Sequence, residues 1–217
     1  SALIVQGLVV ASVVSAAEPS TSGPKPIPAL QAIPLPHDQV SFQQDGVERT
    51  RYHFGADGRR PFLFPILGPS GQFLTRMGHP HDPVGHSHHN SVWVSHFDVN
   101  GVDFWGDRGK NAGRIVHDRL ERLDDGDAAA ATAVNQWRDA TGTALVIERR
   151  RMSVEPLEHG EWLLTLDLEL APAAQVVTFG KTPFGLLGVR MAKTIGVHDG
   201  GGQIRNSEGG INEEGVF

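Results

Sequence analysis

The stretch Glu161-Trp-Leu-Leu-Thr-Leu-Asp-Leu-Glu-Leu170 decides the fold class of this chain. Large apolar side chains occupy every second position, and most of the positions between them are polar. The apolar positions are Trp162, Leu164, Leu166, Leu168 and Leu170. This strict period of two predicts a β-strand that turns one face to a core and the other to solvent.

The segment before this strand predicts its antiparallel partner. Ala144–Val154 reads as a strand, with Gly142 in the preceding turn and residues 156–160 as the hairpin loop. Three consecutive arginines, Arg149–Arg151, then project alternately to the two faces. Further strands are predicted at Glu48–Phe54, Pro61–Leu67, Ser91–Val99, Val176–Phe179 and Leu186–Met191, and from Ala128 to Trp137.

No segment sustains an apolar stripe at helical spacing, so we predict a mainly β fold, an antiparallel β-sandwich. The 217 residues carry a net charge of -6, which argues against nucleic acid as a partner, since that requires a basic face. The chain has no cysteine. Disulfides and a thiol nucleophile are therefore excluded, and a metal would need histidine, carboxylate or amide ligands.

Composition divides the chain into three parts. Residues 1–17 resemble the apolar and cleavage regions of a signal peptide whose charged n-region is missing, which predicts export to the periplasm or the medium. This apolar run is too short for a membrane span. Residues 18–39 are rich in Pro and Ser and predict an extended linker. Residues 40–217 form the predicted β-sandwich domain, which we expect to be truncated at its C-terminus.

A candidate site lies between His79 and Trp105, where six of the 11 histidines fall among Asp, Asn and Trp residues. Aromatic ring faces, histidines and hydrogen-bonding side chains together suit a carbohydrate or a related polyhydroxy compound, as a small molecule or a glycan. We expect an acid/base role for His88 or His96 and a carboxylate role for Glu208. The predicted binding residues are His89, Asp98, Asn100, Asp103, Trp105, His117 and Arg190.

A rival hypothesis is a metal-dependent oxygenase with a divalent metal as cofactor. His96-Phe97-Asp98 fits the His-x-Asp half of a two-histidine, one-carboxylate iron site. The remaining ligand would be His159 or His198, and His86 and His88 are alternative ligands. A third hypothesis is a non-catalytic glycan-binding module.

Several longer motifs occur in a fixed order along the chain. They are Arg60-Pro-Phe-Leu-Phe-Pro-Ile, His86-Ser-His-His-Asn-Ser-Val-Trp, His96-Phe-Asp-Val-Asn-Gly-Val-Asp-Phe-Trp, Gly113-Arg-Ile-Val-His, Phe184-Gly-Leu-Leu-Gly-Val-Arg-Met-Ala and Ile204-Arg-Asn-Ser-Glu-Gly. Over residues 45–210 the chain thereby resembles the PmoA-like family, exported bacterial proteins often labelled methane oxygenase. Where that family has His-Pro-His-His-Arg-Ser, this chain has His86-Ser-His-His-Asn-Ser, so one charged contact differs.

The resemblance carries two implications that point in different directions. Its label implies an oxygenase, although the methane monooxygenase subunit of that name spans the membrane several times and nothing in this chain could form a membrane bundle. Its fold and setting imply a β-sandwich similar to galactose-mutarotase-like folds, in bacteria that process glycans. The family also extends beyond the end of this chain, with a tail that contains Trp and His.

Overall fold

The computed structural model describes residues 24–215 and is mainly β. Its ten strands are β1 (Leu30–Leu35), β2 (Gln39–Gln44), β3 (Val47–His53), β4 (Phe62–Ile66), β5 (Val92–Val94), β6 (Arg114–Asp124), β7 (Ala129–Arg138), β8 (Ala144–Pro156), β9 (Trp162–Pro172) and β10 (Leu187–Val189). Two 3-10 turns, Glu158–Gly160 and Lys193–Ile195, and one short helix, α1 (Asn212–Gly215), complete the described elements.

The strands form two antiparallel sheets. The first has the order β1-β2-β3-β4-β5-β10, and the second has the order β6-β7-β8-β9. The second sheet is a simple meander, since each strand pairs with its neighbour in sequence. Strand β10 follows the whole second sheet and returns to pair with β5 in the first sheet. This return brings residues near position 190 beside the histidine-rich segment that precedes β5.

The two sheets pack face to face around a shared core, so the predicted β-sandwich is confirmed. One cluster of buried side chains joins Val40, Phe42 and Tyr52 of the first sheet to Met152 and Val154 of the second. Strand β7 contributes small side chains, Ala129–Ala131 and Ala133, which are fully buried. Because alanine takes little space, these positions allow the two sheets to approach closely.

The strand that decided the fold class lies at the edge of the second sheet. Strand β9 pairs with β8 along its whole length, with Arg150 opposite Leu168. Its apolar face packs partly buried against the core, which confirms the predicted alternation. The arginine run also alternates as predicted, because Arg149 is exposed while Arg150 is 1% exposed.

A buried polar network accompanies Arg150 in the core. The guanidinium of Arg150 donates to the carboxylate of Glu148 at 2.6 Å. The same carboxylate accepts hydrogen bonds from Trp137 Nε1 at 2.7 Å and Asn135 Nδ2 at 3.0 Å. Tyr52 donates to Asn135 Oδ1 at 3.2 Å, and burial raises the pKa of Tyr52 to about 12. A buried ion pair tolerates its desolvation only when such additional bonds satisfy it.

The structure differs from the predicted linker at residues 18–39. Residues 30–35 form β1, an edge strand whose Leu30 and Ala32 are buried in the core. The Pro-rich composition masked this strand, although Pro34 suits an edge position. The folded part therefore begins before Val40. The predicted signal peptide at residues 1–17 lies outside the described residues.

Two predicted strands are shorter or differently built. Of Ser91–Val99, only Val92–Val94 is a strand; beyond it, the His96 ring accepts from the backbone N–H of Asp98, and the chain then turns at Asn100-Gly101. Both residues of that turn have positive φ, 51° and 80°, as an Asn-Gly turn favours. The predicted strand Val176–Phe179 is not a strand. Instead the Asn100 amide donates to Val176 O and accepts from Thr178 N, which replaces a strand ladder.

Candidate functional site

A pocket opens at the end of the first sheet where three connections converge. These connections lie between β4 and β5, between β5 and β6, and between β9 and β10. The pocket encloses about 250 Å³. Its lining residues are His86, His88, His89, Phe97, Trp105, Gly106, Phe184 and Arg190. The volume lies just below the roughly 300–1,000 Å³ of typical small-molecule sites, so it suits a ligand of about one ring.

The histidines of this region are packed ring against ring. The ring centroids of His88 and His89 are 4.6 Å apart, and those of His86 and His89 are 4.8 Å apart. His79 extends the group, with its centroid 4.9 Å from that of His86. The backbone N–H of His89 donates to the carbonyl of His86, so a tight turn holds these rings together.

His89 is the most strongly perturbed of these histidines. Its side chain is buried, and this burial, reinforced by the Arg190 guanidinium and His88, lowers its pKa to about 3. His89 is therefore neutral near pH 7. Because a guanidinium only donates, His89 Nε2 accepts from Arg190 Nη2 at 3.1 Å and the ring proton sits on Nδ1. Burial likewise lowers the pKa of His88, which favours its neutral, basic form.

Aromatic side chains form the apolar part of the pocket. Trp105 stacks on Phe184 with ring centroids 5.8 Å apart and an interplanar angle of 24°. Phe97 contacts the same ring of Phe184 at 5.8 Å. Phe97 and Phe184 are each 45% exposed, so their faces are accessible to a ligand. Trp93 lies buried behind Trp105, and the Arg190 guanidinium lies 5.9 Å from its ring centroid.

Arg60 fixes the shape of the pocket from behind. This side chain is 3% exposed, and its guanidinium donates to five acceptors. Those acceptors are His88 O (3.0 Å), Asn90 Oδ1 (3.0 Å), Trp105 O (2.8 Å), Gly106 O (3.2 Å) and Asp107 Oδ1 (3.0 Å). One arginine thereby joins the histidine segment to the segment that carries Trp105.

The structure brings together four of the residues that the sequence predicted for the site. His88, His89, Trp105 and Arg190 line one pocket. His117 lies elsewhere, in a pocket of about 190 Å³ beside Phe54, where its ring contacts Asn135 at 3.3 Å. The residues predicted for the site therefore do not all lie in one pocket.

The other predicted residues serve turns or stand apart from this pocket. The carboxylates of Asp98 and Asp103 accept backbone N–H bonds in turns, whereas the Asn100 amide bonds the backbone of the distant residues 176 and 178. His96 is buried, and its Nδ1 accepts from the backbone N–H of Asp98 at 3.0 Å. Glu208 is exposed in the turn Asn206–Gly209, and its carboxylate makes no hydrogen bond to the described residues.

The residues proposed as metal ligands do not form a ligand set in the described part of the chain. Within residues 24–215, no group of three or more His, Cys, Asp or Glu side chains is arranged to hold a metal ion. The Asp98 carboxylate accepts from Gly101 N at 2.9 Å, and His159 lies in the hairpin turn after β8. The oxygenase hypothesis therefore rests on the family resemblance and stays a prediction.

Two contributors to the pocket were missed as functional residues. Phe184 belonged to a motif of the resemblance but carried no predicted role. Arg60 likewise stood at the start of a motif, directly before the apolar run Pro61–Leu67. The position of Arg60 beside a predicted strand gives little indication that its side chain is buried. Neither the stacking of Phe184 nor the five bonds of Arg60 follows from local sequence.

Fold and site together define a β-sandwich protein with a ring-sized pocket lined by imidazole, guanidinium and aromatic groups. The model of a family of unknown function, DUF6807, matches residues 39–217, so the chain belongs to this family. No curated protein and no solved structure matches the chain. Within residues 24–215, no helix has the length and apolar character needed to cross a bilayer.

Proposed function

We propose that this chain is an exported protein that binds or processes a carbohydrate or a related polyhydroxy compound in the pocket between His88 and Phe184. The observation that carries the proposal is the combination of accessible aromatic faces with polar groups in one cavity of about 250 Å³. A sugar ring offers C–H groups to an aromatic face and hydroxyl groups to the polar side chains around it.

His88 is the acid/base of the proposed reaction. It lines the pocket, and the lowered pKa of its half-buried ring favours a neutral imidazole that can accept a proton. His96 was the alternative candidate for this role. Because His96 does not line this pocket and its Nδ1 is already bonded to the backbone, the proposal uses His88.

Export, the PmoA-like resemblance and a galactose-mutarotase-like fold belong to the same proposal. The apolar start of the chain supports export. The antiparallel sandwich supports the fold analogy, which alone says little about chemistry.

A binding screen followed by matched variants tests the proposal. Soluble mono- and oligosaccharides are titrated calorimetrically against the protein, and Phe184→Ala is compared with Phe73→Ala. Phe73 is a suitable control because it is also an exposed aromatic residue, at 55%, and does not line this pocket. Loss of the Phe184 face removes roughly 1.5–3 kcal/mol of apolar burial, so Phe184→Ala weakens binding roughly 10- to 100-fold.

Turnover of each bound sugar separates an enzyme from a binding module. For an enzyme, His88→Gln retains binding and lowers the rate roughly 100- to 10,000-fold. Binding without turnover of any bound sugar supports the non-catalytic module. No binding of any sugar, or equal losses in the two phenylalanine variants, overturns the proposed site.

A further inference from the structure

Arg190 is a partly buried cation without an acidic partner in the described chain. Its Nη2 donates to His89, and the remaining N–H groups of its guanidinium donate no hydrogen bond to the described residues. Its Nε is buried and unpartnered, as are His89 Nδ1 and Trp93 Nε1 beside it. Three buried N–H donors on Arg190, His89 and Trp93 thus lack a partner, although buried donors in proteins are nearly always paired.

The carboxylates of the surrounding loops are already engaged elsewhere. Asp82 pairs with His86 at 2.7 Å, and Asp107 pairs with Arg60 at 3.0 Å. Asp199 lies 3.1 Å from His81. Arg76 adds a second positive charge near Arg190; the Asp199 carboxylate acts on Arg76 electrostatically, but Arg76 forms no salt bridge with the described residues. Arg190 and Arg76 are therefore cations of this region that form no salt bridge with the described residues, in a chain whose net charge is -6.

The electrostatics of neighbouring groups agree with this geometry. The pKa of Arg190 is lowered by burial and then by Arg76. Beyond burial, the pKa of His89 is lowered by Arg190, His88, His86 and Arg76. No carboxylate offsets these effects at either group. An uncompensated, partly desolvated arginine costs free energy, and an anionic group of a ligand would recover it.

We propose that Arg190 binds an anionic oxygen group of the ligand, so that the pocket prefers an acidic sugar, such as a uronic acid, over its neutral counterpart. This inference rests on the proposed function and narrows its substrate class. The planar guanidinium matches a carboxylate in shape and offers several donors. A sulfate ester presents the same chemistry, so a sulfated sugar is the alternative source of the anion.

The decisive experiment compares ligands that differ only in charge. Hexoses, the corresponding uronic acids, their neutral uronamides and sulfated hexoses are titrated calorimetrically against the wild-type protein. Charge-assisted hydrogen bonds predict that an acidic member binds roughly 10- to 100-fold more tightly than its uronamide. Preference for the uronic acid over the sulfated hexose assigns the anion to a carboxylate, and the reverse preference assigns it to a sulfate.

Variants link the preference to Arg190. Arg190→Gln removes the preference for the acid over its uronamide, whereas Arg190→Lys restores part of the preference. Arg205→Gln is the matched control, because Arg205 is exposed and hydrogen-bonds only Gln203 among the described residues. If Arg190→Gln does not fold, the wild-type preference must still fall as NaCl rises, because the attraction is ionic.

The outcomes separate this inference from the proposed function. Sugars that bind without preference for the acidic form overturn the inference and leave the proposed function standing. If acetate or sulfate binds in an Arg190-dependent way and no sugar binds, the proposed function is overturned and the anion-binding site at Arg190 is retained. If neither sugars nor these anions bind, both are overturned.

Discussion

Replacing Arg60 with methionine tests whether one buried guanidinium holds the two walls of the pocket together. Methionine keeps an unbranched stem of similar length but has no donors. The change leaves five acceptors without this partner: the backbone carbonyls of His88, Trp105 and Gly106, the side-chain oxygen of Asn90 and the carboxylate of Asp107. Removing one member of a buried ion pair costs about 3–5 kcal/mol. The Asp107 side chain is 22% exposed, so water reaches it and the cost falls near the lower end, about 3 kcal/mol.

Urea unfolding followed by tryptophan fluorescence measures this loss. With a slope of about 1–3 kcal/mol per molar urea, a loss of about 3 kcal/mol lowers the midpoint by roughly 1–3 M. Arg59→Met is the matched control, since Arg59 is the adjacent arginine and makes no side-chain hydrogen bond to the described residues. Equal midpoints for the two variants would refute the role assigned to Arg60.

Three further changes test the packing and electrostatics of the fold. Gly188→Ala places a methyl group against the indole of Trp93 and lowers the free energy of unfolding, measured in urea, by about 1–3 kcal/mol. Gly185→Ala is the control and is nearly neutral, because there is open space around Gly185. Equal effects of the two variants would contradict the close contact at Gly188. Glu148→Gln leaves the buried arginine of the core without its counter-charge and lowers the free energy of unfolding by about 3–5 kcal/mol; a change within about 0.5 kcal/mol would contradict the buried pair. His89 has a folded pKa of about 3, below its unfolded value of 6.5, so its contribution to stability is present above pH 6.5 and is lost as the pH falls toward 3, by up to about 1.4 kcal/mol per pH unit. Between pH 7 and pH 4, the free energy of unfolding declines less steeply for His89→Gln than for the wild-type protein. Parallel curves for the two proteins would show that the pKa of His89 is not lowered on folding.

Much of the sandwich was predictable because local sequence patterns indicate many of its strands and turns. The period-two pattern of β9, the glycine before β8 and the Asn100-Gly101 turn each depend on neighbouring residues alone. Strand β1 was missed because its Pro-rich surroundings resemble a linker. Ser91–Val99 was predicted too long because its alternation continues past Val94, whereas the strand ends there and the His96 ring then bonds the backbone N–H of Asp98.

The candidate site was only half predictable, for a physical reason. A dense run of histidines locates a site, but the sequence does not state which rings face one cavity. His88 and His89 line the pocket, while His117 lies against a different one, next to Phe54. The separation follows from the register of β6 against β7, which pairs His117 with Asn135 far from the histidine loop.

By itself, the sequence determined the fold class, the β8–β9 hairpin and the alternation of Arg149–Arg151, because side chains on a strand point to opposite faces wherever the strand lies. Only the tertiary structure decided that Arg150 faces the core beside Glu148, since alternation does not say which face is buried. It alone also placed Arg190 against His89, 101 positions earlier in the chain. That contact exists because β10 returns across the second sheet to pair with β5, and such long-range pairing is set by the packing of whole sheets, not by any local pattern.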